Sequence, residues 1–179
     1  MLSDSFVLLT GCSCGGKSTL ISTLGKLGFA TVPEPGRRIV SEEIAGDGKA
    51  LPWVDTRAFA QRAIEMAQSD LKSADPSEGL VFFDRGLIDA AVALECAGGQ
   101  AAREILGGKR PYAKKVFVVP PWRELFARDE ERRHDFSMAV QEYHRINRAL
   151  DDLGYTKREL PRVPVSERVD MILHECGAL

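Results

Sequence analysis

The strongest constraint on this chain is the junction near its start. An apolar run over residues 6–10 is followed at once by Gly11-Cys12-Ser13-Cys14-Gly15-Gly16-Lys17-Ser18. The stretch fits G-x-x-x-x-G-K-[ST] between a predicted strand and a predicted helix. That spacing has a physical origin. Glycines let the backbone curl until successive N–H groups point inward, and the helix that follows adds its positive dipole end, so the loop cradles phosphate oxygens. Gly11, Cys12, Ser13, Cys14, Gly15, Gly16, Lys17 and Ser18, with Thr19 one step into the helix, are the expected nucleotide contacts. Lys17 is placed to reach the β- and γ-phosphates and Ser18 to ligate Mg²⁺. Cys12 and Cys14 then read as small residues filling a tight loop rather than as a metal or redox pair.

The rest of the chain alternates. Apolar runs at 29–32, 80–83 and 116–119 read as buried strands, with a weaker fifth at 155–160. Between them, Leu20, Leu24 and Leu27 share one helical face, as do Ala60, Ile64, Ala67 and Leu71. Ala139, Tyr143, Ile146, Leu150 and Leu153 mark a long late helix, and Val169, Ile172, Leu173 and Cys176 a last one. Strand–helix alternation implies an α/β fold with a parallel sheet covered by helices on both faces, and ligands at the carboxyl ends of the strands. The 179 residues suit one domain, 1–179.

Chemistry is therefore expected just after each strand. Glu34 lies between Pro33 and Pro35 after the second, rigidly aimed as a general base must be, with Arg37 close behind to hold an acceptor; a helix cap or an ion pair to Arg37 is the plainer reading. Asp84 ends the third, where a carboxylate would bind Mg²⁺; a strand-end turn or helix cap is the alternative. An AAA-type ATPase usually places Glu next to activate water, but here Arg85 follows, which favours transfer to a bound acceptor. After the fourth strand, Arg123, Arg128, Arg132 and Arg133 recur in a stretch over about 121–136 that resembles the mobile lid of small P-loop kinases. Arg128 and Arg132 are the candidates for stabilising a transferring phosphoryl group, unless the stretch is simply a solvated, ion-paired helix.

Composition excludes several classes. With 24 basic against 26 acidic residues and a net charge of −2, there is no basic excess for nucleic acid or anionic membrane. No apolar run approaches a membrane span, no secretory pattern opens the chain, and the four cysteines lack a framework spacing, all of which suits a cytoplasmic protein. His134, His144 and His174 share no metal-ligand spacing. The near miss Thr156-Lys157-Arg158-Glu159 is not the Asn-Lys-x-Asp of a guanine-specific switch, which points to ATP over GTP.

Residues 11–18, Pro33-Glu34-Pro35-Gly36-Arg37, Leu51-Pro52-Trp53, Phe83-Asp84-Arg85-Gly86, 116–122, 159–161 and 167–169 resemble, nearly end to end, a family of small predicted P-loop ATPases related to ribosylnicotinamide kinase domains. Val32-Pro33-Glu34-Pro35 and Asp84-Arg85 more distantly resemble deoxynucleoside kinases, where the matching Glu is the base and the Asp-Arg pair helps hold metal and substrate. The resemblance implies a three-layer P-loop NTPase fold with a five-stranded parallel sheet of order 2-3-1-4-5 and an Arg-bearing lid. It implies transfer of the γ-phosphoryl of Mg·ATP to a small-molecule acceptor, with a nucleoside, a nucleotide and nicotinamide riboside as candidates. Trp53 falls where such kinases place the acceptor, able to stack on a ring or simply to pack, and Glu34, Arg37 and Arg85 complete the expected acceptor contacts. Two alternatives stand: a plain ATPase, and an ATP- or GTP-binding regulatory protein without an acceptor. One departure is that deoxynucleoside kinases commonly follow the Asp-Arg pair with Ser, whereas Gly86 stands here.

Overall fold

A computed structural model describes residues 2–13, 15–125 and 136–178. Five strands, β1 (Phe6–Gly11), β2 (Ala30–Val32), β3 (Val81–Asp84), β4 (Lys115–Val119) and β5 (Thr156–Glu159), form one all-parallel sheet in the order β2-β3-β1-β4-β5. The helices are α1 (Lys17–Lys26), α2 (Pro35–Ala45), α3 (Thr56–Ser73), α4 (Leu87–Cys96), α5 (Ala102–Leu106), α6 (Phe136–Asp152) and α7 (Val165–Glu175).

The central strands are apolar on both faces because helices cover both. Their side chains alternate between two cores. Phe6 and Leu8 of β1, Val81 and Phe83 of β3, and Val116 and Val118 of β4 join Ile39, Ala60, Ile64, Ile88, Leu106, Ile146 and Leu150 from α2 through α6. Val7, Leu9, Phe82, Phe117 and Val119 face the other way and join Leu20, Ile21 and Leu24 of α1 and Val169, Ile172 and Leu173 of α7. The edge strand β5 is largely exposed. Leu27 departs from its expected place on the α1 face. It is the C-cap, where the helix path ends, and it is 57% exposed.

Register fixes what the strand ends bring together. Leu9 pairs with Asp84 and Gly11 with Val119, so the loop after β1 opens between the ends of β3 and β4. Among the described residues no helix is long and apolar enough to cross a membrane.

Candidate functional site

The glycine-rich loop leaves β1 pinned to its neighbour, with Cys12 N donating to Val119 O at 2.9 Å. Gly16 caps α1 in the left-handed region (φ 78°, ψ 24°), which glycine reaches without steric cost, and no side chain caps the helix. Lys17 is buried and its Nζ donates to the Cys12 carbonyl at 2.5 Å. Burial first, and the Arg85 guanidinium second, hold its pKa below the ordinary lysine value. Ser18 Oγ donates to Asp84 Oδ2 at 3.2 Å, while Asp84 Oδ1 is buried with no hydrogen-bond partner among the described residues. Burial raises Asp84 above the usual carboxylate range against the pull of Lys17. A hydroxyl beside a carboxylate with one orphaned oxygen is a hard-oxygen donor set that fits Mg²⁺.

Next to this loop, Arg85 is buried and holds a left-handed backbone (φ 59°) that few residues other than glycine adopt. Its side chain meets three carboxylates: Nε faces Glu34 Oε1 at 3.2 Å, and Nη1 faces Asp89 Oδ1 at 3.3 Å and Glu142 Oε1 at 3.0 Å. Burial works against the charge, but Glu142, Glu34 and Asp89 outweigh it and hold the Arg85 pKa well above the ordinary arginine value. Asp89 also accepts from Thr10 Oγ1 at 2.5 Å and from Gly86 N at 3.1 Å. Glu34 pairs with Arg37 as well, at 3.4 Å, and its side chain does not cap α2. Gly86 has a steric cause. The Tyr112 hydroxyl, which accepts from Leu87 N at 2.9 Å, sits 2.0 Å from where a Cβ at position 86 would lie.

Two cavities meet here. One of about 490 Å³ is lined by the loop (Ser13, Gly16–Thr19) and by Trp122, Leu125, Val163, Pro164, Val165 and Arg168. The other, about 350 Å³, has apolar walls that include Val40, Phe59, Val92 and Ile146, with Arg85, Asp89 and Glu142 at its polar end. Ser13, Glu34 and Arg37 line both. The structure thus brings together Gly11–Ser13, Gly15–Thr19, Glu34, Arg37, Asp84 and Arg85. Trp53 is half-buried on the loop before α3, and Pro52 and Phe59 line the smaller cavity in its stead. Cys14, Arg128 and Arg132, with most of the stretch expected as a lid, lie outside the described residues.

Sequence reasoning missed Phe59, Asp89, Glu142 and the buried Arg168. One signal was available for the last: Arg168 lies on the same helical stripe as Val165, Val169 and Ile172, and a charge on a core-facing stripe needs a reason. Burial holds the Arg168 pKa below the ordinary arginine value.

In overall architecture the chain resembles NadR protein in complex with NR (TM-score 0.68, 17% identity, covering 97% of this chain and 51% of that one). It also resembles shikimate kinase from Acinetobacter baumannii in complex with shikimate (TM-score 0.60, 16% identity, 97% and 93% covered). A third is deoxyadenosine kinase from M. mycoides with products dCMP and dCDP (TM-score 0.53, 13% identity, 97% and 98% covered). The chain spans about half the length of NadR. At these identities the likeness shows the fold alone. No curated protein matches in sequence. Residues 6–168 match the family described as an AAA domain, which covers the loop, both cavities and the strand-end carboxylates, and the chain belongs to that family.

Proposed function

We propose that this chain is a phosphotransferase that passes the γ-phosphoryl of ATP to a hydroxyl or phosphate group of a small molecule. The observation that carries this reading is the pair of cavities meeting at Ser13, Glu34 and Arg37. A hydrolase needs room for water beside the phosphates. A second cavity of about 350 Å³ with aromatic and aliphatic walls is room for a ring-bearing acceptor. The kinases of like fold, whose bound molecules include shikimate and dCMP, support the same class.

In this reading the loop amides and Lys17 hold the β- and γ-phosphates. Ser18 and Asp84 would hold Mg²⁺, which neutralises phosphate charge when bound. Glu34, kept in place by Arg85 and Arg37, orients the acceptor hydroxyl and takes its proton as the acceptor oxygen bonds to phosphorus and the bond to the ADP oxygen breaks. Arg128 and Arg132 close over the transferring group, and Arg37 and Arg85, which line the smaller cavity, contact the acceptor. Positioning and electrostatics supply most of the rate in this chemistry.

The test is ADP release with ATP or GTP, alone and with a panel of nucleosides, nucleotides and nicotinamide riboside. Acceptor-dependent release is expected with ATP. Release that no acceptor accelerates makes the chain an ATPase, and tight binding with slow turnover makes it a regulatory nucleotide binder. Lys17→Ala should lower turnover by roughly 100-fold or more while the protein stays folded. Unchanged turnover in that variant refutes the phosphate-loop assignment.

A further inference from the structure

Arg168 is 2% exposed, and it is the one charged group in the larger cavity that comes from α7. Its Nη1 donates to the carbonyl of Gly15 at 2.9 Å. Its guanidinium lies 5.4 Å over the Trp122 ring. Among the described residues its buried Nε has no hydrogen-bond partner and no carboxylate pairs with this side chain. A buried guanidinium without a counter-ion is costly, because desolvation is not offset by an ion pair. What adjoins it is the phosphate loop. A Cβ at Gly16 would sit 3.3 Å from Arg168 Nη2, so the fork lies directly against the N-cap of α1.

Two consequences follow from this contact. In a trans peptide the carbonyl and the next N–H point in opposite directions. The bond from Arg168 to Gly15 O therefore fixes the Gly15–Gly16 peptide plane, with the Gly16 N–H pointing away from the guanidinium. The fork also adds a fixed positive charge to the N-terminal end of α1, where the helix dipole already favours anions.

We propose that Arg168 is a built-in anion receptor of the nucleotide site, whose missing counter-charge is the polyphosphate of the bound nucleotide and whose grip on Gly15 pre-sets the loop. This rests on the reading of the larger cavity as the nucleotide site and deepens it. Arg168 sits in the chain more than 150 residues from the loop it serves and needs no lid movement to act.

The experiment is calorimetric titration of wild type, Arg168→Met and Arg168→Lys with Mg·ATP, Mg·ADP and adenosine at several salt concentrations, with the thermal midpoint of each free protein. Arg168→Met should weaken both Mg-nucleotides by roughly 10–100-fold, leave adenosine within about 3-fold, and flatten the salt dependence of nucleotide binding. Its free form should melt no lower than wild type, since an uncompensated buried charge has been removed. Arg168→Lys, which keeps the charge but not the fork, should recover part of the affinity, and it serves alone if the Met variant fails to fold. Undiminished Mg·ATP binding overturns the proposal. So does an equal loss for adenosine and ATP with a lowered midpoint, the signature of a strut. Failure of wild type to bind Mg·ATP removes the nucleotide-site reading itself.

Discussion

Two buried arginines flank the phosphate loop, and their surroundings differ sharply. Arg85, 7% exposed at the end of β3, has three carboxylates around it; Arg168, 2% exposed on α7, has a carbonyl and an indole face. Burial alone therefore does not say what a buried charge is for. Where acids outnumber the base, the arginine is a hub that fixes carboxylates, above all Glu34, in useful positions. Where no described acid is present, as at Arg168, the charge is the one we propose is met by a ligand. The two sides of the loop thus differ in electrostatics: one gathers carboxylates around a cation, and the other holds a cation that no described carboxylate meets.

The largest effect should come from emptying the hub. Arg85→Met removes the cation that Glu34, Asp89 and Glu142 share, and breaking a buried ion-paired cluster costs about 3–5 kcal/mol. Chemical denaturation should show that loss. A variant as stable as wild type would mean that the cluster is no hub. Glu142→Gln is milder, because Arg85 keeps two partners and Glu142 is about a third exposed. About 1 kcal/mol is expected, together with a raised KM for the acceptor at nearly unchanged ATP affinity. A loss as large as that of Arg85→Met would move the weight of the hub onto Glu142.

Asp84→Asn tests the seam between the two sides. Because burial raises the Asp84 pKa, the folded state binds more protons than the unfolded one just above the ordinary aspartate range, so stability falls as pH rises through the raised value. The variant lacks that component. The difference in thermal midpoint, variant minus wild type, should thus grow in the variant's favour from about pH 4 upward. It should also lose any Mg²⁺ requirement for tight nucleotide binding. A difference that stays flat with pH would remove Asp84 as the buried, proton-sensitive group.

Much of this was legible because it is local. The loop, the strand-end Asp84 and the proline-flanked Glu34 are written in runs of a few residues, and the apolar alternation that defines the sheet needs no partner to be read. Leu27 misled because helical spacing continues past the residue where the helix stops. What stayed hidden depends on distant pairs: Thr10 with Asp89, Arg85 with Glu142, Arg168 with Gly15. Each is invisible until the chain closes on itself. Phe59 rather than Trp53 came to line the smaller cavity for a related reason. It lies on α3, whose inward face is set by packing against α2 and α4, whereas Trp53 stands on the loop ahead of that helix.

The fit of Gly86 under the Tyr112 hydroxyl has a consequence for how this fold can change. Neither position can be altered freely by itself. A side chain at 86 must displace the phenol, and displacing the phenol strips Leu87 N of its acceptor at the start of α4. The viable route is a paired exchange: a hydroxyl-bearing residue at 86 able to cap the helix itself, with a smaller residue at 112. Such a swap would convert the Asp-Arg-Gly of this chain into the Asp-Arg-Ser form in two coupled steps. In double-mutant measurements Gly86→Ser and Tyr112→Leu should therefore be far from additive, each costly alone and less so together.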